Sequence, residues 1–441
     1  MNIPIPSPAS DTKAATAPAG GAPKIKMNTS HDVQHQVGLV REALRSEKRR
    51  LGFFLGAGCP LGIYDKDETN SIKHIPDVAG LTSAIESRLD VDSKCTDEKG
   101  LLAKELLDCW VKLTTACKSD KCKVPNVEHI LTQLRTICAL KGASTVDEMT
   151  VESLRKLDAK TCEIIVDLVN KALPEYTNAY QRFALWVRQL ERTYPLEVFT
   201  PNYDLLVEEA FEKCRVPYFD GFVGAREPFF DLAAMEQDKM PERWARLWKL
   251  HGSINWIKQS DDSVFRCHPP KPGQQVMIYP SHLKYEQSRR MPYLAMCDRL
   301  KAFFRETNPV IILCGYSFAD EHLNELLLDG LRGNRSAQCF ALLYSKLENY
   351  EQAVRCAEKL SNLSLLARDG AVVTTRCGSY NDVDVALAIK GSGIDTEKGA
   401  LDADGKDTHK ARCLLGDFHH LCLFLETQLG VRTPESHDEH P

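Results

Sequence analysis

The 441-residue sequence contains no apolar run long enough to cross a bilayer; its longest apolar stretches are short and interrupted. It has no stretch resembling a cleavable secretory signal, because its first residues are rich in Pro, Ala, Gly and Ser and carry no apolar core segment. It has little net charge, −5, and so no average excess of base; nucleic acid is not favoured as a direct ligand. No internal repeat is visible. Cysteine, by contrast, is plentiful, with 16 scattered copies, many inside apolar runs such as "PVIILCGYS". Without a secretory route these are expected to be small buried hydrophobes, not disulfides, and the cytoplasm is the expected compartment. A composition of 43% hydrophobic and 27% charged residues is that of a globular protein with one large domain carrying insertions, or two of ordinary size.

Residues 1–30 are poor in large apolar groups and read as a disordered leader. A helix is expected around 31–47, with Ser30 and Asp32 at capping positions. "RRLGFFLGAGCP" reads as a buried strand entering a glycine turn. From about Leu81 to Arg192 the pattern turns helical, a large insertion of amphipathic segments. Strand–turn–helix units then resume at "PLEVFTPNYDLLVEEAFEK" and "NPVIILCGYSFADEHLNELLLDGLRG", with "RLWKLHGSINW" a strand ending in a polar turn and "QQVMIYPS", "AQCFALLYS" and "GAVVTT" as further strands. This rhythm predicts an α/β fold, a doubly wound and mostly parallel Rossmann-like sheet with a large helical insertion, spanning residues 31–391. Residues 392–411 read as a polar loop or linker, and a C-terminal helix follows within 392–441. In that helix His419 and His420 are neighbours that diverge around the axis, so packing is preferred over a metal site.

Four polar turns follow expected strands and should gather at one edge of the sheet, where ligands of such folds bind. Gly56-Ala57-Gly58-Cys59 lets a phosphate approach bare backbone, although the full dinucleotide spacing is not met and a plain tight turn explains it equally well. Thr200-Pro201-Asn202-Tyr203-Asp204 places a neutral amide, Asn202, at a strand end, where Asp204 alone would read as a helix cap. Leu250-His251-Gly252-Ser253 puts a histidine beside glycine at the same edge, suited to act as a base near neutral pH. The fourth, running from Gly315 to His322, reads either as a glycine turn capped by Ser317 or Asp320 or as a cradle for ribose or adenine.

In this order GAG, T-x-N-x-D, LHGS and GYS-F-x-D-x-H resemble the sirtuin family across roughly residues 50–345, and in particular the bacterial sirtuin-like NAD hydrolases of anti-phage defence. The resemblance implies that NAD is the substrate, that Asn202 and His251 are the catalytic pair, and that Gly56, Ala57, Gly58 and Cys59 hold the diphosphate and adjoining ribose. It further implies that Asp204 contacts the nicotinamide carboxamide and that Gly315 and Ser317 face the adenosine, with Thr200 and Asp320 completing the NAD-binding set. The departures are informative. Protein-deacylating sirtuins carry an Asp-Phe-Arg element after the first turn, absent from "CPLGIYDKDETN", and T-Q-N-I-D where this chain has T-P-N-Y-D. Between His251 and Gly315 only Cys267, Cys297 and Cys314 occur, none spaced as C-x-x-C, so the zinc module of those enzymes is not expected.

The expected reaction is therefore hydrolysis of NAD to nicotinamide and ADP-ribose, with NAD-dependent deacylation and non-catalytic sensing of NAD or ADP-ribose as the alternatives. Because constitutive NAD loss would be toxic, the resemblance implies activation by assembly, as a homo-oligomer or with a HerA-type ATPase. The helical insertion and the C-terminal helix are the candidate assembly surfaces.

Overall fold

The computed structural model describes residues 27–66, 71–118, 124–139, 145–146, 149–237, 239–259, 261, 263–268, 275–277, 291–382, 391–401 and 407–429. The expected leader lies outside these residues up to residue 26. Its last two, Thr29 and Ser30, belong to an edge strand paired with Arg376–Tyr380. Asp32 caps the first helix, Val33–Arg45, accepting from the backbone N–H of Gln34 at 2.8 Å.

The core is a ten-stranded sheet. Its order is Thr29–His31, Arg376–Tyr380, Gly370–Val373, Leu363–Leu366, Gln338–Leu342, Val310–Cys314, Leu51–Leu55, Glu197–Thr200, Ala245–Lys249 and Tyr218–Phe219. Every pairing is parallel except the two that Gly370–Val373 makes with its neighbours. The fold is α/β with a doubly wound, mostly parallel sheet. Strand Leu51–Leu55 is buried on both faces: its side chains alternate with a period of two, and an apolar layer covers each face. Phe53 and Leu55 enter one apolar layer with helices Val33–Arg45, Ala179–Arg188, Leu206–Lys213 and Phe418–Gln428. Phe54 enters the other layer with Tyr293–Arg305, Glu321–Gly333 and Glu351–Ala357.

The chain leaves Leu51–Leu55 toward Glu197–Thr200 on one side and only later builds Val310–Cys314 on the other. The order of the sheet thus reverses beside the glycine turn that ends Leu51–Leu55, and such a reversal opens a crevice at the carboxyl ends of the strands.

Helices Val78–Ser93, Glu98–Cys117, Val127–Ala139 and Val151–Val169 share a separate apolar core that includes Leu106, Trp110 and Leu134. The following helix, Ala179–Arg188, instead packs on the sheet, where Arg182 pairs with Glu426 of the last helix at 2.7 Å. Two expectations are corrected. Residues 392–411, read from their polarity as a loop, contain the antiparallel strand Ile394–Leu401, which pairs with Asp407–Cys413. Strand edges with water on one face tolerate polar sequence, so composition alone hid this hairpin. Second, "RLWKLHGSINW" is two strands, not one: after His251 the chain enters Gly252–Lys258, part of a second, five-stranded antiparallel sheet. Among the described residues no helix is long and apolar enough to cross a membrane.

Candidate active site

The four turns follow four consecutive strands of the sheet, Val310–Cys314, Leu51–Leu55, Glu197–Thr200 and Ala245–Lys249. All four strands run parallel, so the turns share one rim, and hydrogen bonds stitch them into a ring. The N–H of Gly56 donates to the Cys314 carbonyl at 2.9 Å and that of Gly58 to the Gly315 carbonyl at 2.8 Å. Asn202 Nδ2 donates to the Gly56 carbonyl at 3.1 Å. The Leu250 N–H donates to the Thr200 carbonyl at 2.8 Å, and the Ile254 N–H to the Tyr203 carbonyl at 3.1 Å, binding the Asn202 turn to the His251 turn. The ring closes where His251 Nε2 lies 3.5 Å from Asp320 Oδ2, in the turn that began at Gly315.

Close packing of the first and fourth turns requires glycine at Gly56 and Gly58. A Cβ at Gly56 would lie 2.3 Å from the Gly315 carbonyl oxygen, and one at Gly58 would lie 2.8 Å from the Gly315 Cα. The two turns touch through bare backbone.

The expected site residues divide into two groups. Gly56, Asn202, His251, Gly315 and Asp320 meet around the ring, and Ala57, Gly58, Gly315 and Ser317 line a cavity of about 990 Å³ at the point where the strand order reverses. Its size suits a cofactor-sized ligand. Its other walls come from the helical insertion, through residues such as Thr82 and Trp110, and from Asp417 and Phe418 at the start of the last helix. Asn202, His251 and Asp320 do not line this cavity; Asn202 is bonded to the Gly56 carbonyl, one residue before Ala57 in its wall.

The side chains of Cys59, Thr200 and Asp204 are committed to the protein. The Cys59 thiol is buried and donates to the Cys314 carbonyl at 3.3 Å; burial pushes its pKa well up. The Thr200 hydroxyl donates to the Leu55 carbonyl at 2.7 Å and accepts from the Asn202 N–H at 3.1 Å, fixing the backbone of the Asn202 turn. Asp204 Oδ1 accepts from the Leu206 N–H at 3.1 Å; burial raises its carboxyl pKa, and the Lys249 ammonium opposes that rise. Lys249, itself buried, donates to the Asp204 carbonyl and pairs with Glu208 at 3.0 Å. Among the described residues no group of three or more His, Cys, Asp or Glu could hold a metal ion.

Sequence reasoning missed Asn324 and Tyr316. The turn from Gly315 to Asp320 contains two residues with left-handed backbone, Gly315 at φ 67° and Phe318 at φ 60°. A non-glycine residue held there stores roughly 1–3 kcal/mol of strain that its surroundings must offset. Buried Asn324 does so: its Nδ2 donates to the Phe318 carbonyl at 2.7 Å, and its Oδ1 accepts from the Tyr316 hydroxyl at 2.7 Å. The available signal was an amide on the otherwise apolar face of "EHLNELLLDGLRG". Asn324→Leu keeps the branched heavy-atom layout and removes both bonds, so it should lower stability by about 1–3 kcal/mol. A shift in the midpoint of urea unfolding measures it; an unchanged midpoint would show that the clamp is idle.

In comparison with known proteins, residues 196–364 match the family model described as a SIR2-like domain. The match takes in the turns carrying Asn202, His251 and Gly315 but not the first glycine turn. Among solved structures the chain is similar to a Sir2 homolog crystallised as a complex with NAD, at 15% identity over 73% of this chain and 87% of that one, with a TM-score of 0.32. A search of curated proteins finds no match.

Proposed function

We propose that this chain binds NAD across the sheet rim and hydrolyses its nicotinamide–ribose bond. The observation that carries the reading is the closed ring of four turns. It brings an amide and an imidazole, 49 positions apart in the sequence, onto neighbouring strand ends beside a cavity of cofactor size. The SIR2-like domain supports an NAD-related role.

The residues fit the chemistry. Because Asn202 Nδ2 donates to the Gly56 carbonyl, its Oδ1 is the atom left to accept from a ribose hydroxyl or an attacking water. Cleavage passes through a ribose with oxocarbenium character, and nicotinamide departs with the electron pair of the C–N bond. Water adds to the ribose carbon, and its proton passes to His251. The protein's task is orientation of the sugar and stabilisation of the developing charge. Backbone at Ala57, Gly58 and Gly315, with Ser317 beside it, would hold the diphosphate and adenosine side. Cys59, Thr200 and Asp204 would serve by fixing the turns.

In the cell the reaction would deplete NAD, in keeping with the resemblance to anti-phage NAD hydrolases. Activation by assembly, as an oligomer or with a HerA-type ATPase, would keep the lone chain restrained until needed. The direct test incubates the purified chain with NAD and follows nicotinamide and ADP-ribose. Asn202→Ala should slow their release at least about 100-fold while ADP-ribose binding persists, since general positioning effects of this size arise from one well-placed group. Nicotinamide release only in the presence of an acyl-lysine peptide would make the chain a deacylase instead. Tight ADP-ribose binding without any turnover would make it a sensor.

A further inference from the structure

Asp320 has two carboxylate oxygens with different surroundings. Oδ1 accepts from the backbone N–H of Leu323 at 3.1 Å, the ordinary cap of helix Glu321–Gly333. Oδ2 lies 3.5 Å from His251 Nε2, and the two side chains are only 11% and 5% exposed. A capping role accounts for the first oxygen and not the second. The Asp320 backbone is also held: its carbonyl accepts from the Asn324 N–H at 2.9 Å. The carboxylate therefore has little freedom to leave the imidazole.

We infer that Asp320 is a positioning residue that keeps the ring proton of His251 on Nε2 and thereby makes Nδ1 the atom that takes a proton during cleavage. The inference rests on the NAD-hydrolase reading for its catalytic consequence, though not for its chemistry. A carboxylate only accepts hydrogen bonds, and a neutral imidazole has one N–H and one lone pair. The N–H must face the carboxylate, because the other tautomer sets lone pair against lone pair. The 3.5 Å separation shortens to a full hydrogen bond with a movement under 1 Å, as catalytic contacts commonly do when ligand binds. When water adds to the ribose carbon and nicotinamide leaves with the bonding electrons, the water proton goes to Nδ1. The resulting imidazolium keeps its Nε2–H on the Asp320 carboxylate until Nδ1 releases its proton to solvent.

Asp320→Asn isolates this role, because asparagine caps a helix as well as aspartate does. Its amide can present N–H to Nε2 and so favour the wrong tautomer. We expect kcat for NAD to fall by about 10²–10⁴ with KM within about threefold, the pattern of a misdirected base. Asp320→Ser, which also caps, should fall in kcat as well. Nitrogen NMR of protein labelled in its histidine rings, with the His251 signal assigned from a His251→Ala spectrum, should show Nε2–H in the wild type and a shift toward Nδ1–H in Asp320→Asn. A wild-type Nδ1–H tautomer, or an unchanged tautomer in the variant, overturns the inference. So does a raised KM with unchanged kcat, which would make Asp320 a direct ligand contact. If the wild type does not consume NAD at all, the proposed function fails, and the ring spectra alone then decide this inference.

Discussion

Purified His251→Ala is expected to consume NAD at least about 10³-fold more slowly than the wild type, measured by nicotinamide release under saturating NAD. A positioned acid–base group contributes roughly 10²–10⁴-fold, and the variant loses both a proton acceptor and a hydrogen-bonding partner for the ribose. The geometry makes His251 costly to replace catalytically and cheap structurally. It sits in the link between strand Ala245–Lys249 and strand Gly252–Lys258, and its backbone neighbour Leu250 stays tied to the Thr200 carbonyl at 2.8 Å whatever the side chain. Asp320 would lose the imidazole yet keep its bond from the Leu323 N–H at 3.1 Å. The variant should therefore unfold within about 2 kcal/mol of the wild type, as ordinary single substitutions do, and should still bind ADP-ribose. Turnover at the wild-type rate in a folded His251→Ala protein would remove the imidazole from the chemistry and with it the central assignment.

Much of this site was legible because the signals were local. Each turn pairs a buried strand with a polar residue, and the parallel rhythm of strand and helix places all strand ends on one rim. What the sequence could not reveal is the lateral order of the strands. That order sets Gly58 against Gly315, Asn202 against Gly56 and His251 against Asp320, contacts between residues far apart in the chain. For that reason the glycines of the first turn read equally as a phosphate loop or a plain tight turn, and their backbone contact with Gly315 was not legible. Asp320 read as a cap or a cofactor contact, and only its place beside His251 shows a second partner. The hairpin Ile394–Leu401 with Asp407–Cys413 escaped notice because its polar composition lacks the apolar alternation that marks a strand. The helical insertion was visible from its periodicity, but the division between its own core and the sheet-packed helix Ala179–Arg188 depends on tertiary contact.

Gly315→Ala is expected to lower stability by about 2–5 kcal/mol and to abolish measurable ADP-ribose binding. Two independent penalties combine. Gly315 has φ 67°, a conformation that costs an L-residue roughly 1–2 kcal/mol. Its new Cβ would also lie 2.6 Å from the Cys59 backbone nitrogen and 2.8 Å from Cys59 Sγ, an overpacked contact worth about 1–3 kcal/mol. Neither turn can retreat freely, because Gly58 N–H to Gly315 O at 2.8 Å and Gly56 N–H to Cys314 O at 2.9 Å clamp them together. Relief must come from prying the first and fourth turns apart, which moves Gly58, Gly315 and Ser317 in the cavity wall and draws Asp320 away from His251. Gly62→Ala is the matched control: Gly62 lines the same cavity, but a Cβ there meets nothing within 4 Å. Chemical unfolding and ADP-ribose titration of the two variants should therefore diverge, with Gly62→Ala near wild type in both. Equal behaviour would mean that the ring of turns is slack, and a slack ring could not hold an amide and an imidazole in register over one sugar.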